Sequence, residues 1–175
     1  FTSARALDSW CEPISRIAAL TAWSVLVTEG KIQEGQWALT LGTGGVSVFA
    51  VQLAKALGAK VIITSSSDDK LARSQSLGAD HGINYNDNPR WDKAVLEITG
   101  GRGADVVVET AGIATMTTSM KATAAGRLIG VLGGVTGLAG DVQIAPLVMK
   151  RLRVTGILVD SRAHFEELSA FLGKH

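Results

Sequence analysis

The sequence predicts an α/β fold with a doubly wound, six-stranded parallel sheet and helices on both faces. Two observations predict it. Short apolar segments almost free of charges alternate with stretches in which apolar residues recur every three or four positions. The chain also has 20 glycines against 3 prolines, and glycines follow apolar runs, where a parallel sheet needs tight turns between strand and helix. Its 175 residues fit one well-packed domain.

The elements follow one another in a regular rhythm. The apolar run WALTL ends in glycines, a helical pattern follows, and KVIIT then completes a βαβ unit of the expected length. Because the strands are nearly all uncharged, both faces of the sheet should be covered. The first helix is expected against the edge of the sheet. Strands are predicted at 37–41, 60–64, near Ile83, and at 104–109, 127–132 and 154–159, and helices at 14–27, 46–57, 68–77, 91–99 and 116–124.

Composition excludes several classes of function. A formal net charge of +1 gives no field that would attract nucleic acid or a membrane surface. No segment approaches the roughly 18 apolar residues of a membrane span, and the N-terminus lacks the pattern of a secretory signal. The single cysteine, Cys11, excludes an internal disulfide, and the three histidines are too scattered for metal-ligand spacing. We expect a cytoplasmic protein without a metal site.

A glycine-rich turn follows the first predicted strand in the pattern Gly42-x-Gly44-x-x-Ser47. In dinucleotide-binding proteins the first glycine allows a sharp turn, the second lets the backbone approach a pyrophosphate, and the third, here a small serine, permits close packing. The phosphates would lie at the N-terminus of the next helix. The alternative is a tight turn without a ligand, which the βαβ context disfavours. The predicted cofactor-binding residues of this turn are Gly42, Thr43, Gly44, Gly45 and Val46.

The end of the second predicted strand bears on the choice between NAD(H) and NADP(H). An enzyme that uses NAD usually places Asp or Glu there, about 20 residues after the turn, but this chain has Ser65. Hydroxyl groups and a cation favour a 2′-phosphate, and therefore NADP(H). Alternatively, the serines cap the following helix and the lysine is a solvated charge, which is compatible with the first interpretation. The residues concerned are Ser65, Ser66, Ser67 and Lys70, with the acids Asp68 and Asp69 close enough to complicate the inference.

A resemblance to a known family rests on four segments, GTGGVSVFAVQLAKALGAKVIITSSSDDKLARSQSLGADHGINY, AALTAW, GADVVVETAG and RVTGILVDSRAHFEEL. They resemble the cofactor domain of the medium-chain dehydrogenase/reductase superfamily, within it the zinc-independent quinone oxidoreductase-like branch. The resemblance covers residues 17–171 and implies a Rossmann fold. Complete members carry an N-terminal GroES-like domain that supplies most of the substrate pocket. We expect residues 1–175 to hold the NADP(H)-binding domain without that catalytic domain.

The resemblance also implies site residues. Lys70 and Tyr85 would flank the 2′-phosphate, although Tyr85 could simply cover the sheet edge. Thr21 would position the nicotinamide, or its hydroxyl could bond its own helix. Residues after the fourth strand would approach the adenosine and ribose, and apolar residues would line the nicotinamide, where core packing is an equal alternative. These two groups are Thr110, Ala111 and Gly112, and Leu132, Gly133, Ile157, Leu158 and Val159.

Asp160 stands where relatives of this family commonly have glycine. It would put a carboxylate near the cofactor, or it would simply face solvent at a strand end. No acid–base pair is visible in the sequence, so it identifies no catalytic residue. The resemblance implies hydride transfer between nicotinamide C4 and a carbonyl or a conjugated double bond, with the protein supplying orientation and electrostatics.

Three functions remain open from the sequence. The first is the cofactor domain of an NADPH-dependent oxidoreductase that acts on a small-molecule quinone, enone or aldehyde. The second is a truncated NADP(H)-binding module without redox turnover, or one repurposed for other chemistry. The third is a methyltransferase-like fold, which the missing acid at Ser65 disfavours. We expect a homodimer that pairs through the apolar strand at 154–159, unless a helix at 163–172 covers that strand.

Overall fold

The computed structural model describes residues 13–174, which form one parallel sheet flanked by helices. The strands are β1 (Trp37–Leu41), β2 (Lys60–Ser65), β3 (His81–Asn84), β4 (Ala104–Glu109), β5 (Thr123–Val131) and β6 (Arg153–Gly156). The helices are α1 (Pro13–Trp23), α2 (Gly45–Ala56), α3 (Asp68–Ser76), α4 (Trp91–Ile98), α5 (Ile113–Ala122), α6 (Ala145–Met149) and α7 (Arg162–Leu172), and a π-helical segment (Ser24–Glu29) continues α1. The predicted doubly wound α/β fold is confirmed.

The strand order is β3-β2-β1-β4-β5-β6, and every neighbouring pair is parallel. Leu39 of β1 stands opposite Ile62 of β2 and Val107 of β4. The order reverses between β1 and β4, because the chain runs to one side of β1 through β3 and then returns to the other. This reversal is the topological switch point, where α/β proteins of this type bind ligands at the carboxyl ends of the strands.

Side chains of the central strands alternate between two buried clusters, one on each face. Val61 and Val106 belong to the cluster that includes Leu53 of α2 and Leu168 of α7. On the opposite face, the alternate residues of the strands form the second cluster together with residues of α4 and α5. All six residues of β4 are buried. Apolar and charged residues do not alternate along the central strands, because both faces of the sheet are buried, as predicted.

The helix at the start of the described chain lies on the face of the sheet, and the expected position at its edge is wrong. Val25 packs on Gly130 of β5 so closely that a Cβ at Gly130 would lie 2.1 Å from the valine Cγ2. A Cβ at Gly30 would similarly lie 2.9 Å from Val106 of β4. The two glycines let the π-helical segment settle over β4 and β5, which buries its apolar residues.

The C-terminal elements differ in detail from the prediction. Strand β6 ends at Gly156, whose partner Val131 is the last residue of β5, and one more bond joins the Ile157 N–H to the Val131 carbonyl at 2.8 Å. Leu158 and Val159 lie beyond the strand and are 86% and 59% exposed. The short helix α6 was not predicted. Helix α7 packs on α1 and does so through the rings of Phe171 and Trp23, whose centroids are 5.1 Å apart.

No helix of residues 13–174 is both long enough and apolar enough to cross a bilayer.

Candidate functional site

A cleft of about 670 Å³ opens at the carboxyl ends of β1, β2 and β4. It therefore lies at the topological switch point between β1 and β4. Predicted cofactor residues that line it are Gly42, Gly44, Gly45, Val46, Tyr85, Thr110 and Ala111, and residues that the sequence did not single out include Thr64, Pro89, Trp91, Ala114, Thr115, Thr118, Val135 and Thr136.

The glycine turn after β1 leaves space where a ligand could approach the backbone. Gly42 has φ +71°, a conformation that other residues rarely adopt. A Cβ built on Gly42 or Gly44 would meet nothing within 4 Å. Gly44 is the N-cap of α2 and supplies no side-chain cap, so the first N–H groups of that helix are available to an anion. This geometry fits a phosphate group.

Ser47 occupies the place of the third glycine and joins α2 to β1. It is 1% exposed, and its hydroxyl donates to the Leu41 carbonyl at 2.8 Å. The Thr110 hydroxyl, at the end of β4, donates to the same carbonyl at 2.6 Å. Two strands and one helix are thereby fixed around the floor of the cleft. Serine thus permits the close helix–strand packing that the fingerprint assigns to glycine.

The turn after β2 presents hydroxyl groups, and the expected helix cap is wrong. Ser67 is the N-cap residue of α3, but its side chain accepts no N–H group of the helix. The buried Ser65 hydroxyl instead accepts the Ser67 N–H at 3.4 Å, which turns the chain locally. Lys70 and Ser66 are exposed. The hydroxyl of Ser67 is therefore not used to cap α3.

Asn84, the last residue of β3, and Asn86, just after it, hold the turn that follows β2. The Asn84 side-chain amide donates to the Asp68 carboxylate at 2.9 Å, and the Asn86 amide donates to the Ser66 carbonyl at 3.1 Å. The neighbouring Tyr85 donates its N–H to the Ser65 carbonyl at 3.0 Å, while its side chain, 41% exposed, lines the cleft. Asp68, one of the two acids near this turn, thus accepts a hydrogen bond from an uncharged donor.

Glu109, at the end of β4, is a residue next to the candidate site that the sequence interpretation did not identify. It is fully buried, and one carboxylate oxygen accepts the N–H groups of Ala111 and Gly112 at 3.0 and 3.1 Å and the Thr115 hydroxyl at 2.8 Å. The Ser119 hydroxyl donates to the other oxygen. An acid directly after the apolar run Val106–Val108 was the available signal. The carboxylate fixes the turn that forms one wall of the cleft.

The loop after β5 packs on this turn through glycines. A Cβ on Gly112, which has φ +104°, would lie 2.6 Å from the Gly137 carbonyl, and one on Gly133 would lie 2.4 Å from the Thr110 carbonyl. The Thr136 N–H and hydroxyl both donate to the Ala111 carbonyl, at 2.7 and 2.9 Å. Gly112 and Gly133 therefore serve close backbone packing in this structure.

The residues expected around the nicotinamide do not line this cleft. The Thr21 hydroxyl donates to the Ile17 carbonyl at 2.8 Å, which is the local bond given as its alternative. Ile157 is 6% exposed and belongs to the core, where it lies beside Gly130. Leu132 is half-buried, whereas Leu158 and Val159 are exposed. Thr43 belongs to the glycine turn but is not among the lining residues.

Asp160 and His164 form a pair that the sequence interpretation did not identify, and Asp160 lies beyond the end of β6. The Asp160 Oδ1 lies 2.6 Å from the His164 Nδ1, and the aspartate side chain is 17% exposed. Burial raises the pKa of Asp160, but hydrogen bonds from His164, Ser24 and the Ser161 N–H outweigh it and lower that pKa. The hydrogen bond to Asp160 raises the pKa of His164. The sequence signal for this pair was the spacing of four residues between an acid and a histidine at the start of a helix.

Metal ligands were sought among the same residues. Within 13–174, no three His, Cys, Asp or Glu side chains come together in an arrangement that could hold a metal ion. Cys11 and His175 lie outside the described residues.

Comparisons with known proteins identify the family. Residues 45–174 match the family described as zinc-binding dehydrogenase. A zinc-type alcohol dehydrogenase-like protein of Schizosaccharomyces pombe is 38% identical over 159 residues, which are 87% of this chain and 46% of that protein. The crystal structure of a candidate alcohol dehydrogenase from Sinorhizobium meliloti is 43% identical with a TM-score of 0.86, and covers 90% of this chain and 46% of that one.

A quinone oxidoreductase of Escherichia coli, crystallised with NADPH, is also similar, at 29% identity and a TM-score of 0.80, covering 90% of this chain and 50% of that one. The chain thus spans about half the length of these relatives. The family match and the shared architecture show that the chain belongs to the zinc-binding dehydrogenase family of the medium-chain dehydrogenase/reductase superfamily, in its quinone oxidoreductase-like branch, and forms a nucleotide-binding Rossmann domain of that superfamily.

Proposed function

We propose that this chain binds NADP(H) in the cleft at the switch point and serves an oxidoreductase that reduces a quinone, enone or aldehyde. The observation that carries the proposal is the glycine turn of β1. Gly42 and Gly44 open onto the cleft, and the uncapped N-terminus of α2 faces the same space. A pyrophosphate would be held there by backbone N–H groups and by the helix dipole.

The preference for NADP(H) over NAD(H) is part of the proposal and rests on the end of β2. Ser65 stands where a carboxylate would repel a 2′-phosphate, and Lys70 supplies a positive charge within the first turn of α3. The Asp68 carboxylate, which would oppose the phosphate, is bonded to Asn84. The similar Escherichia coli quinone oxidoreductase was crystallised with NADPH, which supports the same choice.

The bound nicotinamide would supply hydride, and the residues of this chain would bind and orient the cofactor. The turn of β1 would hold its phosphates, and the turn of β4, fixed by Glu109, would form the wall beside them. Close packing of the loop after β5 on that wall would exclude water from one side of the cleft. The donor set of residues 13–174 does not fit the zinc of the family description, so we derive no step through a metal.

The test of the phosphate site compares alanine variants of two positively charged residues on one helix. We expect Lys70→Ala to weaken NADPH binding about tenfold, because a charge-assisted hydrogen bond to phosphate is lost, and to leave NADH binding unchanged. Arg73→Ala, an exposed cation on the same helix, is the matched control and should change neither affinity. Titration with both cofactors, followed by nicotinamide fluorescence, measures this. Equal affinities of the parent chain for NADPH and NADH would contradict the proposal.

A second candidate function is a binding module without redox turnover. One observation favours it: the side chains that line the described cleft include no carboxylate, imidazole or amine. A module would bind NADPH but would leave it unconsumed when an enone or a quinone is added. Consumption of NADPH above the background rate with either acceptor would exclude the module and support the oxidoreductase.

Pairing of two copies through β6 is also part of the proposal. The strand is at the end of the sheet, and its Val154 is 42% exposed. An edge of this kind presents unpaired backbone groups to a second strand. We expect Val154→Lys to convert a dimer into a monomer, as measured by light scattering after size-exclusion chromatography. A monomeric parent chain would contradict the pairing.

A further inference from the structure

The pair formed by Asp160 and His164 lies where β6 reaches the carboxyl edge of the sheet. Ile157 still bonds to Val131 of β5, so Asp160 follows the last ladder bond by three residues. Its carboxylate accepts the Ser161 N–H at 2.7 Å and lies 2.6 Å from the His164 Nδ1. Asp160 is therefore held between the end of the sheet and the start of α7, on the same edge as the glycine turn.

This position belongs to the half of the sheet that would receive the nicotinamide. A dinucleotide lies across the switch point, with its adenosine ribose near the end of β2. Its second nucleoside must then lie over β4, β5 and β6. Asp160 and His164 join the segment that follows β6 to the first turn of α7, and they form an ion pair when the imidazole is protonated.

The charge of the pair depends on His164. The imidazole Nδ1 is directed at Asp160, and the side chain is 30% exposed, so it exchanges protons with solvent. Asp160 holds the pKa of His164 above its ordinary value and keeps its own pKa below its ordinary value. The pair is neutral overall while the imidazole is protonated. It carries one negative charge once the imidazole loses its proton.

Other charged groups around the pair were also considered. Glu167, on the same helix, adds a negative charge that favours the protonated imidazole. Arg162 and Glu166 pair with each other at 2.8 Å and are largely exposed. Helix α1 packs against α7 and contributes Arg16. In the neighbouring π-helical segment, Ser24 is uncharged and the Glu29 carbonyl accepts a hydrogen bond from Arg153. Asp160 and His164 remain in direct contact.

We propose that Asp160 and His164 set the preference of this chain for the oxidised or the reduced cofactor, and that the preference changes with pH. The inference rests on the proposed binding of NADP(H). The oxidised nicotinamide carries a positive charge and the reduced ring carries none. A pair without net charge favours neither ring, whereas a pair with a net negative charge attracts the positively charged oxidised ring.

The sign follows from the titration of the imidazole. Below the pKa of His164, the pair has no net charge and adds no preference. As pH rises through that pKa, the remaining Asp160 charge strengthens NADP⁺ binding relative to NADPH binding, by roughly three- to tenfold for a partly screened charge close to the ring. The 2′-phosphate titrates in both cofactors, so its effect cancels in the ratio of the two dissociation constants.

The experiment measures the dissociation constants of NADP⁺ and NADPH by calorimetry from pH 6 to pH 9, on the full chain. We expect the ratio of the NADPH constant to the NADP⁺ constant to rise with pH in the parent. His164→Gln should keep this ratio high and independent of pH, because Asp160 stays charged. The double variant with Asp160→Asn should keep it low and independent of pH. Arg162→Gln, an exposed neighbour, is the control and should behave as the parent.

A second readout separates this role from a purely structural one. Proton NMR of the imidazole, assigned by its absence in His164→Gln, should report a lower pKa of His164 with NADP⁺ bound than with NADPH bound. If the pair merely caps α7, the variants lower thermal stability while the ratio stays constant with pH in the parent. That outcome overturns the inference and leaves the proposed function intact. Failure of the parent to bind either cofactor overturns both.

Discussion

The two halves of the sheet use polar groups differently at the same carboxyl edge. On the β1–β3 half, Gly42 and Gly44 open onto the cleft, and the Ser67 side chain leaves α3 uncapped. On the β4–β6 half, Glu109 accepts four hydrogen bonds, and Thr136 ties the loop after β5 to the turn of β4. The first half leaves donors available to a ligand, whereas the second uses them to hold its own loops. Ligand binding and loop anchoring are thus divided between the halves.

The largest effect that tests this contrast is expected at Glu109. Replacing it by alanine leaves the buried Gly112 N–H, the half-buried Ala111 N–H and the buried Ser119 hydroxyl without their acceptor, whereas the Thr115 hydroxyl keeps the Gly112 carbonyl. This should lower the free energy of unfolding by about 4 kcal/mol. Urea denaturation measures the loss. Glu97→Ala, an exposed position on α4, should change stability by less than about 0.5 kcal/mol. Equal losses in the two variants would show that the carboxylate does not anchor the turn.

A pair of glycine variants compares the two halves directly. Gly112→Ala introduces a Cβ 2.6 Å from a backbone oxygen at φ +104°, so we expect a loss of about 2–3 kcal/mol in the free energy of unfolding. Gly44→Ala places its Cβ in open space with extended backbone, so stability should change by less than about 0.5 kcal/mol.

The same pair of variants should differ in the opposite sense in ligand binding. The methyl group of Gly44→Ala would occupy the space that a pyrophosphate needs, so we expect NADPH affinity to fall at least about tenfold. Fluorescence titration beside urea denaturation measures both quantities. A Gly44→Ala variant that binds NADPH as tightly as the parent would remove the turn from the proposed site.

The smallest effect is expected at the amino edge of the β1–β3 half, where polar groups do hold the chain. Burial raises the pKa of Asp80, but hydrogen bonds from Lys55 and the Val61 N–H, with the charges of Lys55 and His81, lower it overall. A folded-state pKa below the unfolded value stabilises the fold above about pH 4 and stops doing so as pH falls through the folded value.

Asp80→Asn should therefore cost about 0.5–1 kcal/mol at pH 7, a value reduced for the partial exposure of the ion pair, and the difference from the parent should shrink below about pH 4. Urea denaturation across this range measures it, with the exposed Asp87→Asn as control. A difference that persists unchanged at pH 3 would assign the effect to packing and not to charge.

Much of this arrangement could be predicted because it depends on local pattern. The runs at 37–41 and 104–109 became strands with the predicted bounds, since each has a central run of apolar or β-branched residues and a turn residue follows it. The last strand was predicted too long at its C-terminal end. It ends where its partner β5 ends, and the apolar character of Leu158 and Val159 gives no sign of that limit. Helix α6 has five residues, too few to establish a period.

The polar networks could not be predicted, because they join residues whose proximity depends on the fold. Glu109 binds groups up to ten residues away only after α5 has turned back over its strand end. The Thr110 hydroxyl reaches the Leu41 carbonyl from 69 positions along the chain, on another strand. The placement of α1 on the sheet face likewise depends on Gly130, a residue of a distant strand.

The shared Leu41 carbonyl has a consequence for the order in which the protein forms. The Thr110 hydroxyl that reaches it comes from 69 positions along the chain. During synthesis, β1, α2, β2, α3 and β3 emerge before β4, so one side of β1 remains unpaired until about 60 further residues are made. The floor of the cleft therefore cannot be completed before Thr110 has been made.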